Sequence, residues 1–245
     1  MKIAFVLTGY MRDWKKYLSK NKKNIIEKYN ADVYISSSTY SQEHWRTEFI
    51  NIDIDEVIEE YKPKNYLFRE FETCPPMTFK EGGREAFGRE WSERQLRGWY
   101  ANYLALDLFD FDDYDIIIKS RPDLSVTDFN INPKAKLCIP AWKVYPGPCE
   151  PQESYADFFA YGNPANMKKY FSLYSMMKNM HNKNIADISV GETLIYDYIG
   201  KYIGHQKVTL DYKIDWIRIG DQSAEEQRNF YKEIRPEWVL EFPPL

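Results

Sequence analysis

The segment from Asp115 to Leu124 reads Asp-Ile-Ile-Ile-Lys-Ser-Arg-Pro-Asp-Leu, and it constrains the fold more than any other stretch of the chain. Three consecutive isoleucines at 116–118 form a short apolar run, which is typical of a strand buried on both faces of a parallel sheet. The run ends in charged residues, and Pro122 cannot donate a hydrogen bond to a sheet ladder. The pattern predicts a central β-strand with charge at its carboxyl end.

Arg121 and Asp123 follow this strand at its predicted carboxyl end, where open α/β sheets bind ligands. In extended backbone, residues two apart point to the same side. A guanidinium matches phosphate oxygens, and a carboxylate suits a hard divalent cation. The pair therefore predicts a site for a phosphate-bearing substrate, with Asp123 as the candidate metal ligand. The alternative is a structural Arg121–Asp123 ion pair or a turn-capping aspartate.

Length and composition favour a globular α/β protein. The 245 residues suffice for one large domain or two small ones, and 44% of them are hydrophobic, enough for a sizeable core. The 33 basic and 37 acidic side chains form no basic block, which argues against a nucleic-acid binder. No apolar run approaches about 18 residues, so we expect no membrane span and, at most, peripheral association. Three cysteines without metal-type spacing favour reduced thiols and a cytoplasmic location.

Alternating strand and helix patterns predict a mostly parallel central sheet flanked by helices, with right-handed crossovers. The expected strands, besides the isoleucine run, are 3–8, 32–36, 65–69, 137–141, 157–161 and 206–210. The expected helices are 13–29, 55–61, 91–109, one that starts at Pro164 with Asn163 as its N-cap, and 189–199 with Gly200 as its stop. Residues 72–90 and 142–154 are expected to be long loops. No domain boundary is visible, so we expect 1–245 to form a single domain.

The exit of the first strand, Thr8-Gly9-Tyr10-Met11-Arg12, is the expected nucleotide corner. Gly9 lets the backbone approach a ligand closely, and backbone N–H groups before the next helix can receive phosphate. Arg12 adds a guanidinium that matches phosphate. The alternative is an ordinary strand–helix turn with a solvated arginine. Ser37, in the polar run that leaves the second strand, is either a ligand to a base or ribose or part of a polar loop.

Two carboxylates are candidates for acid–base chemistry. Asp157 can act as a general base toward a sugar hydroxyl, or it is only a strand-end carboxylate. Glu192 lies three residues after a serine, which fits a capping box at a helix start as well as a catalytic role. Asp112, Asp113 and Asp115 precede the central strand at the opposite end of the sheet, where we interpret them as solvated charge and a cap.

These motifs resemble those of a group of sugar transferases from lipopolysaccharide and capsule loci, with related proteins in large viruses that glycosylate their own capsids. The likeness covers most of residues 1–200. It is carried by a Thr-Gly-x-x-Arg element (Thr8, Gly9, Arg12), the segment from Tyr114 through Asp123, an Asp-x-Phe-x-x-Gly segment with a Met-x-x-Tyr helix (Asp157, Phe159, Gly162, Met167, Tyr170), and a Glu-x-x-Ile element (Glu192, Ile195).

The resemblance implies a GT-A-like, Rossmann-like fold and transfer of a sugar from a UDP- or GDP-linked donor to a glycan acceptor, as in polysaccharide biosynthesis. The donor is expected to bind at Thr8, Gly9, Tyr10, Arg12, Ser37 and Arg121. In typical GT-A enzymes an Asp-x-Asp element holds the metal, whereas here Arg121 replaces the first aspartate. Either Arg121 or a Mn²⁺ or Mg²⁺ ion at Asp123 can therefore neutralise the diphosphate. Asp157 or Glu192 would be the base in an inverting reaction, and the two long loops would shape the acceptor site.

Two other functions remain open at this stage. A sugar-phosphate nucleotidyltransferase on a similar sheet would consume a nucleoside triphosphate together with a sugar phosphate, but no glycine-rich phosphate loop with a following lysine appears near residue 10. A non-catalytic carbohydrate-binding or assembly protein of the same fold would bind glycans without binding a nucleotide.

Overall fold

The computed structural model describes residues 1–41, 49–70, 89–127, 129–140, 155–186, 188, 191–211 and 215–218. The strands are β1 (Ile3–Thr8), β2 (Asp32–Ser37), β3 (Tyr40–Ser41), β4 (Ile50–Asn51), β5 (Asn65–Phe68), β6 (Ile116–Ser120), β7 (Leu124–Thr127), β8 (Leu137–Pro140), β9 (Ala160–Gly162), β10 (Val208–Asp211) and β11 (Asp215–Arg218). The α-helices are α1 (Trp14–Asn21), α2 (Ile54–Tyr61), α3 (Arg89–Leu104), α4 (Pro164–Phe171), α5 (Leu173–Asn182) and α6 (Gly191–Tyr202). A π-helical segment, Lys22–Glu27, continues α1.

The main sheet has seven strands in the order β10-β8-β9-β6-β1-β2-β5. The neighbours β6, β1, β2 and β5 run parallel, and so do β8 and β10. In contrast, β9 runs antiparallel to both β6 and β8. The prediction of a mostly parallel sheet is therefore confirmed, with a reversed strand between β6 and β8. Because β9 runs the other way, it begins at the edge of the sheet where β1, β2 and β6 end.

The core lies on both faces of the central strands. Every residue of β1 and of β6 is buried, as their apolar runs at 3–7 and 116–118 predict; Lys119 and Ser120 of β6 are buried as well. Helix α3 packs against β1 and β2, and α4 packs against β6 and β9. After Asn163, apolar residues at helical spacing indicate a face that packs in the core, and all of them are buried: Met167, Tyr170, Phe171, Tyr174 and Met177.

Several predicted boundaries differ from those observed. Gly200 was expected to end a helix, but it lies inside α6; the chain turns instead at Gly204, whose φ of +100° favours glycine. Strand β9 starts at Ala160, which leaves Asp157 in the bend before it rather than in a strand. The short strands β3, β4, β7 and β11, which form two antiparallel pairs, were not predicted.

Some expectations lie outside the described residues, namely the loop at 142–154, nearly all of the loop at 72–90, and the serine before Glu192. Residues 89 and 90 of the first of these segments belong to α3. Cys138 is buried and forms no disulfide with a described residue, while Cys74 and Cys149 lie outside the described ranges. Among the helices in these ranges, none combines the length and the apolar character that a membrane span needs.

Candidate functional site

The predicted site residues come together because three parallel strands end at one edge of the sheet. Thr8 of β1 pairs with Ser36 of β2, and Leu7 of β1 pairs with Ser120 of β6. The residues that follow these strands therefore emerge side by side. The antiparallel β9 begins at the same edge, since Ala160 pairs with Lys119 of β6. The chain segment just before β9, which carries Asp157, consequently joins this edge.

The corner after β1 is braced by buried hydrogen bonds. Thr8 is buried, and its hydroxyl donates to Asn102 Oδ1 on α3 at 2.6 Å. The Gly9 N–H donates to the carbonyl of Ser36 at 3.1 Å, and the Gly9 carbonyl accepts from Ser37 Oγ at 2.8 Å. The Gly9 N–H and the hydroxyl groups of Thr8 and Ser37 thus already donate their protons to acceptors within the protein. Their expected contacts with a nucleotide stay predictions.

Gly9 adopts a φ of +103°, which is strained for any residue with a side chain. Among the described residues, a Cβ built at this position would meet no atom within 4 Å. The described part of the chain therefore leaves the space next to the Gly9 backbone unoccupied, and the expected contact with a ligand there stays a prediction.

Aromatic side chains flank this corner. The ring of Tyr10 lies 5.9 Å from that of Tyr40 and 6.4 Å from that of Phe49, and the Arg12 guanidinium lies 5.3 Å from the Tyr10 ring centroid. Phe49 is 49% exposed, so the cluster reaches the surface. The sequence analysis named Tyr10 and Arg12 but missed Tyr40 and Phe49, because only the fold brings residues so far apart in sequence to the end of β1.

Arg121 and Asp123 form a bidentate ion pair. Arg121 Nε donates to Asp123 Oδ1 at 2.8 Å, and Arg121 Nη2 donates to Asp123 Oδ2. The aspartate side chain is 3% exposed, whereas that of the arginine is 25% exposed. Burial opposes the charge of Arg121, but Asp123, with smaller contributions from Asp157 and Glu192, holds the pKa of the guanidinium above its ordinary value. The cation at the end of β6 is therefore permanent.

These residues do not by themselves fit a metal centre. Among the residues that the structure describes, no group of three or more His, Cys, Asp or Glu side chains is arranged to hold a metal ion. Asp123 offers one carboxylate, and both of its oxygens already accept from Arg121, a cation that competes with a divalent ion for the same lone pairs. A Mn²⁺ or Mg²⁺ ion at Asp123 stays a prediction.

Lys119 is a buried cation that the sequence analysis did not single out. The residue is 2% exposed, and its Nζ donates to the backbone carbonyl of Asp157 at 2.6 Å. Burial lowers the pKa of Lys119 to about 7; the Arg121 cation acts in the same direction, while Asp157 and Asp123 oppose it. In the sequence, this residue is marked only by its position directly after the three isoleucines of the apolar strand.

Asp157 is partly exposed within a segment that is otherwise buried. Of residues 155–162, all of which are described, it is the only one that is not buried. The N–H of Tyr155 donates to the carbonyl of Glu192 at 3.2 Å, which ties this segment to the first turn of α6. Asp157 and Glu192 both help to raise the pKa of Arg121, so both candidate bases lie within electrostatic reach of that guanidinium. The structure thus brings Arg121, Asp123, Asp157 and Glu192 into one region.

Comparison with known proteins shows similarity at the level of the fold. No family model matches this chain, and no curated protein matches it by sequence. Among solved structures, the chain is similar to core-mannan synthase A from Aspergillus fumigatus in its Mn/GDP form, with a TM-score of 0.51 and 8% identity over 89% of this chain and 75% of that one. It also matches a glycosyltransferase involved in glycosylation of the major capsid of PBCV-1, with a TM-score of 0.41 and 10% identity over 96% of this chain and 100% of that one.

The chain has a GT-A-type α/β fold, as the sequence motifs predict. The candidate polar and charged residues lie at the carboxyl edge of its parallel strands, where open α/β sheets bind their ligands.

Proposed function

We propose that the protein is a glycosyltransferase that moves a sugar from a nucleotide-diphosphate sugar to a glycan or glycoconjugate acceptor. One observation carries the proposal. Arg121 is locked in place by a buried carboxylate yet keeps a quarter of its side chain exposed, at the edge where β1, β2 and β6 end. A fixed, exposed guanidinium is suited to a diphosphate. The fold shared with a mannan synthase supports the reaction class.

In this proposal the donor diphosphate lies against Arg121 and the nucleoside lies over Thr8–Arg12 and Ser37. The open space at Gly9 supports this placement, since the backbone there admits a ligand without steric conflict. The bond from the anomeric carbon to the diphosphate breaks during transfer, and the leaving nucleotide gains negative charge. Arg121 stabilises that charge in a geometry that Asp123 has already set, which is the arrangement that lowers a reaction barrier.

Asp157 is the proposed base in an inverting transfer, with Glu192 as the other candidate. The acceptor hydroxyl oxygen bonds to the anomeric carbon as its proton passes to the carboxylate. The exposure of Asp157, in a segment that is otherwise buried, supports the choice of this residue. Acceptor selection is proposed for the segments at 72–90 and 142–154.

The proposal is tested by a thermal-shift panel of UDP, GDP, UDP-glucose, UDP-galactose and GDP-mannose, each with and without Mn²⁺. A ligand at 100 times its Kd stabilises the native state by about 2.7 kcal/mol, so one nucleotide should raise Tm clearly. Mn²⁺ belongs in the panel because the mannan synthase was solved with it. Arg121→Lys should weaken the response because it loses the two-pronged contact. Lys134→Met, an exposed cation before β8 at the opposite edge, is the matched control.

The other two functions are separated by two further assays, one with a glycan and one with UTP or GTP together with a sugar phosphate. A protein that shifts with no nucleotide but binds glycans is a binding or assembly protein. One that consumes a nucleoside triphosphate with a sugar phosphate is a nucleotidyltransferase. An Arg121→Lys response equal to that of the wild type would remove Arg121 from the donor site.

A further inference from the structure

We propose that Lys119 and Tyr170 are positioning residues, which hold the backbone at residues 156–159 so that the partly exposed Asp157 carboxylate stays within electrostatic reach of Arg121. This inference rests on the proposed function, in which Asp157 is the base. It concerns two buried groups that touch neither the donor nor the acceptor in that proposal.

Residues 156–159 pair with no strand in the part of the chain that the structure describes. It starts after Tyr155, whose N–H is bound to the Glu192 carbonyl, and it ends where β9 begins at Ala160. Between these two anchors, the carbonyl of Asp157 accepts a hydrogen bond from Lys119 Nζ at 2.6 Å and a second from the Tyr170 hydroxyl at 3.3 Å. Two donors that converge on one carbonyl fix the orientation of that peptide, and the backbone in turn sets the direction of the Asp157 side chain.

Both side chains fill space in the interior, but their polar atoms are not needed for that packing. Lys119 is 2% exposed and Tyr170 is 0% exposed, so each brings a polar group into a closely packed interior. Methionine and phenylalanine would occupy nearly the same volumes without the cost of burying an ammonium or a hydroxyl. Polar groups that make a core less stable than its apolar equivalent are typical of sites that serve function.

The charges around Lys119 suit this role. Arg121 and Asp123 follow it on the same chain segment, and Asp157 faces it from the segment before β9. Lys119 therefore interacts electrostatically both with the pair that would hold the donor and with the carboxylate that would act on the acceptor. A shift of the 157 peptide would change the distance between the two reacting groups, and a misplacement of about 1 Å costs about a hundredfold in rate.

The test uses the full chain with Lys119→Met, Lys119→Arg and Tyr170→Phe, and Lys168→Met as a control on an exposed lysine of α4. Three quantities are measured: hydrogen exchange of peptides that cover 155–160, Tm, and the rate at which UDP or GDP is released from UDP-glucose, UDP-galactose or GDP-mannose with water as acceptor. For Lys119→Met we expect faster exchange at 155–160, a Tm at or above that of the wild type, and a kcat lower by about tenfold or more with donor KM within about twofold.

Lys119→Arg keeps a cationic donor and should restore part of the kcat, and Tyr170→Phe should show a smaller loss. Unchanged hydrogen exchange at 155–160 in Lys119→Met would overturn the proposal. A joint fall of Tm, kcat and donor affinity would also overturn it, because that pattern is typical of a residue with a purely structural role. If the wild-type protein releases no nucleotide from any donor, the transferase function fails instead, and the exchange measurement still decides whether Lys119 holds this segment.

Discussion

Arg121 and Asp123 share one bidentate ion pair but differ in exposure, because the carboxylate is enclosed in the protein while the guanidinium reaches the surface. The buried anion therefore acts as the anchor of an exposed cation. Lys cannot replace Arg in this arrangement without loss, since only the planar guanidinium can engage the carboxylate through two nitrogens and still present the remaining N–H groups to a ligand.

Asp123→Asn is expected to destabilise the protein, because it leaves the Arg121 cation without its counter-charge. Loss of one partner of a buried pair costs about 3 kcal/mol, measured as the change in the free energy of unfolding by urea. The exposed Asp113→Asn, at the opposite edge of the sheet, is the control and should change that energy by less than about 0.5 kcal/mol. Equal effects in the two variants would contradict the anchoring role.

The local parts of the fold could be predicted from sequence because their signals are local. Strand β1 spans Ile3–Thr8 as expected from its apolar run. Asn163 caps α4 as predicted, since its Oδ1 accepts from the Asn166 N–H at 3.0 Å. Both features depend on residues within a few positions of one another, which a pattern can record.

The reversed strand and the Lys119 contact could not be predicted, because both depend on long-range placement. Strand β9 has only three residues, too few to show a period, and its direction depends on the path of the chain before it. Lys119 donates to a backbone carbonyl 38 residues away, and no side-chain pattern marks a carbonyl as an acceptor. The sequence did place Arg121 and Asp123 together, but the extended backbone assumed for them is wrong: Pro122 and Asp123 form a turn after β6, and this turn brings the two side chains into contact.

Gly9→Ala is expected to destabilise through backbone strain alone. The φ of +103° is unfavourable for alanine, but the added methyl group meets no atom, so we expect a loss of about 2 kcal/mol in the free energy of unfolding. Gly98→Ala is the matched control: its Cβ also meets no atom, but it lies in α3, where alanine should add about 1 kcal/mol. If Gly9→Ala also stabilises the protein, the strained corner is not present in solution.

Thr8→Val should show how much the buried hydrogen bond between β1 and α3 contributes to the free energy of unfolding. Valine keeps the shape but removes the donor, so Asn102 Oδ1 loses its partner at 2.6 Å in a buried site. An unsatisfied buried acceptor costs about 1–3 kcal/mol, again measured by urea unfolding. Thr209→Val, at an exposed position of β10, should have almost no effect. A neutral Thr8→Val would mean that Asn102 finds another donor.

The free energy of unfolding should depend on pH through Asp32, which lies at the start of β2 on the opposite edge of the sheet. Burial raises the pKa of this carboxyl, but hydrogen bonds from Lys64 at 2.7 Å and Tyr114 at 2.9 Å outweigh it and hold the pKa below the ordinary value of 3.8. A lowered folded-state pKa contributes stability above the ordinary value, which is lost as the pH falls through the folded-state pKa.

Asp32→Asn should therefore be less stable than the wild type at pH 7, by less than about 1 kcal/mol because water screens the pair with Lys64. The difference should shrink as the pH falls below 3.8. Urea unfolding at pH 7, 4 and 3 tests this dependence, and a constant difference across the series would show that Asp32 contributes through packing rather than through its charge.

The choice between the two candidate bases can be made by a pair of variants that preserve shape. Asp157→Asn removes the partly exposed carboxylate but leaves the backbone carbonyl that accepts from Lys119 and Tyr170, so the fold should persist. We expect kcat to fall by about a hundredfold or more, which is the usual contribution of a general base. Glu192→Gln leaves its own carbonyl bound to the Tyr155 N–H, and we expect a smaller loss, below about tenfold. Both are measured as nucleotide release from the donor that the thermal-shift panel identifies, with Tm as the control for folding. The reverse order of the two losses would assign the base to Glu192, since that residue shares with Asp157 the electrostatic reach to Arg121.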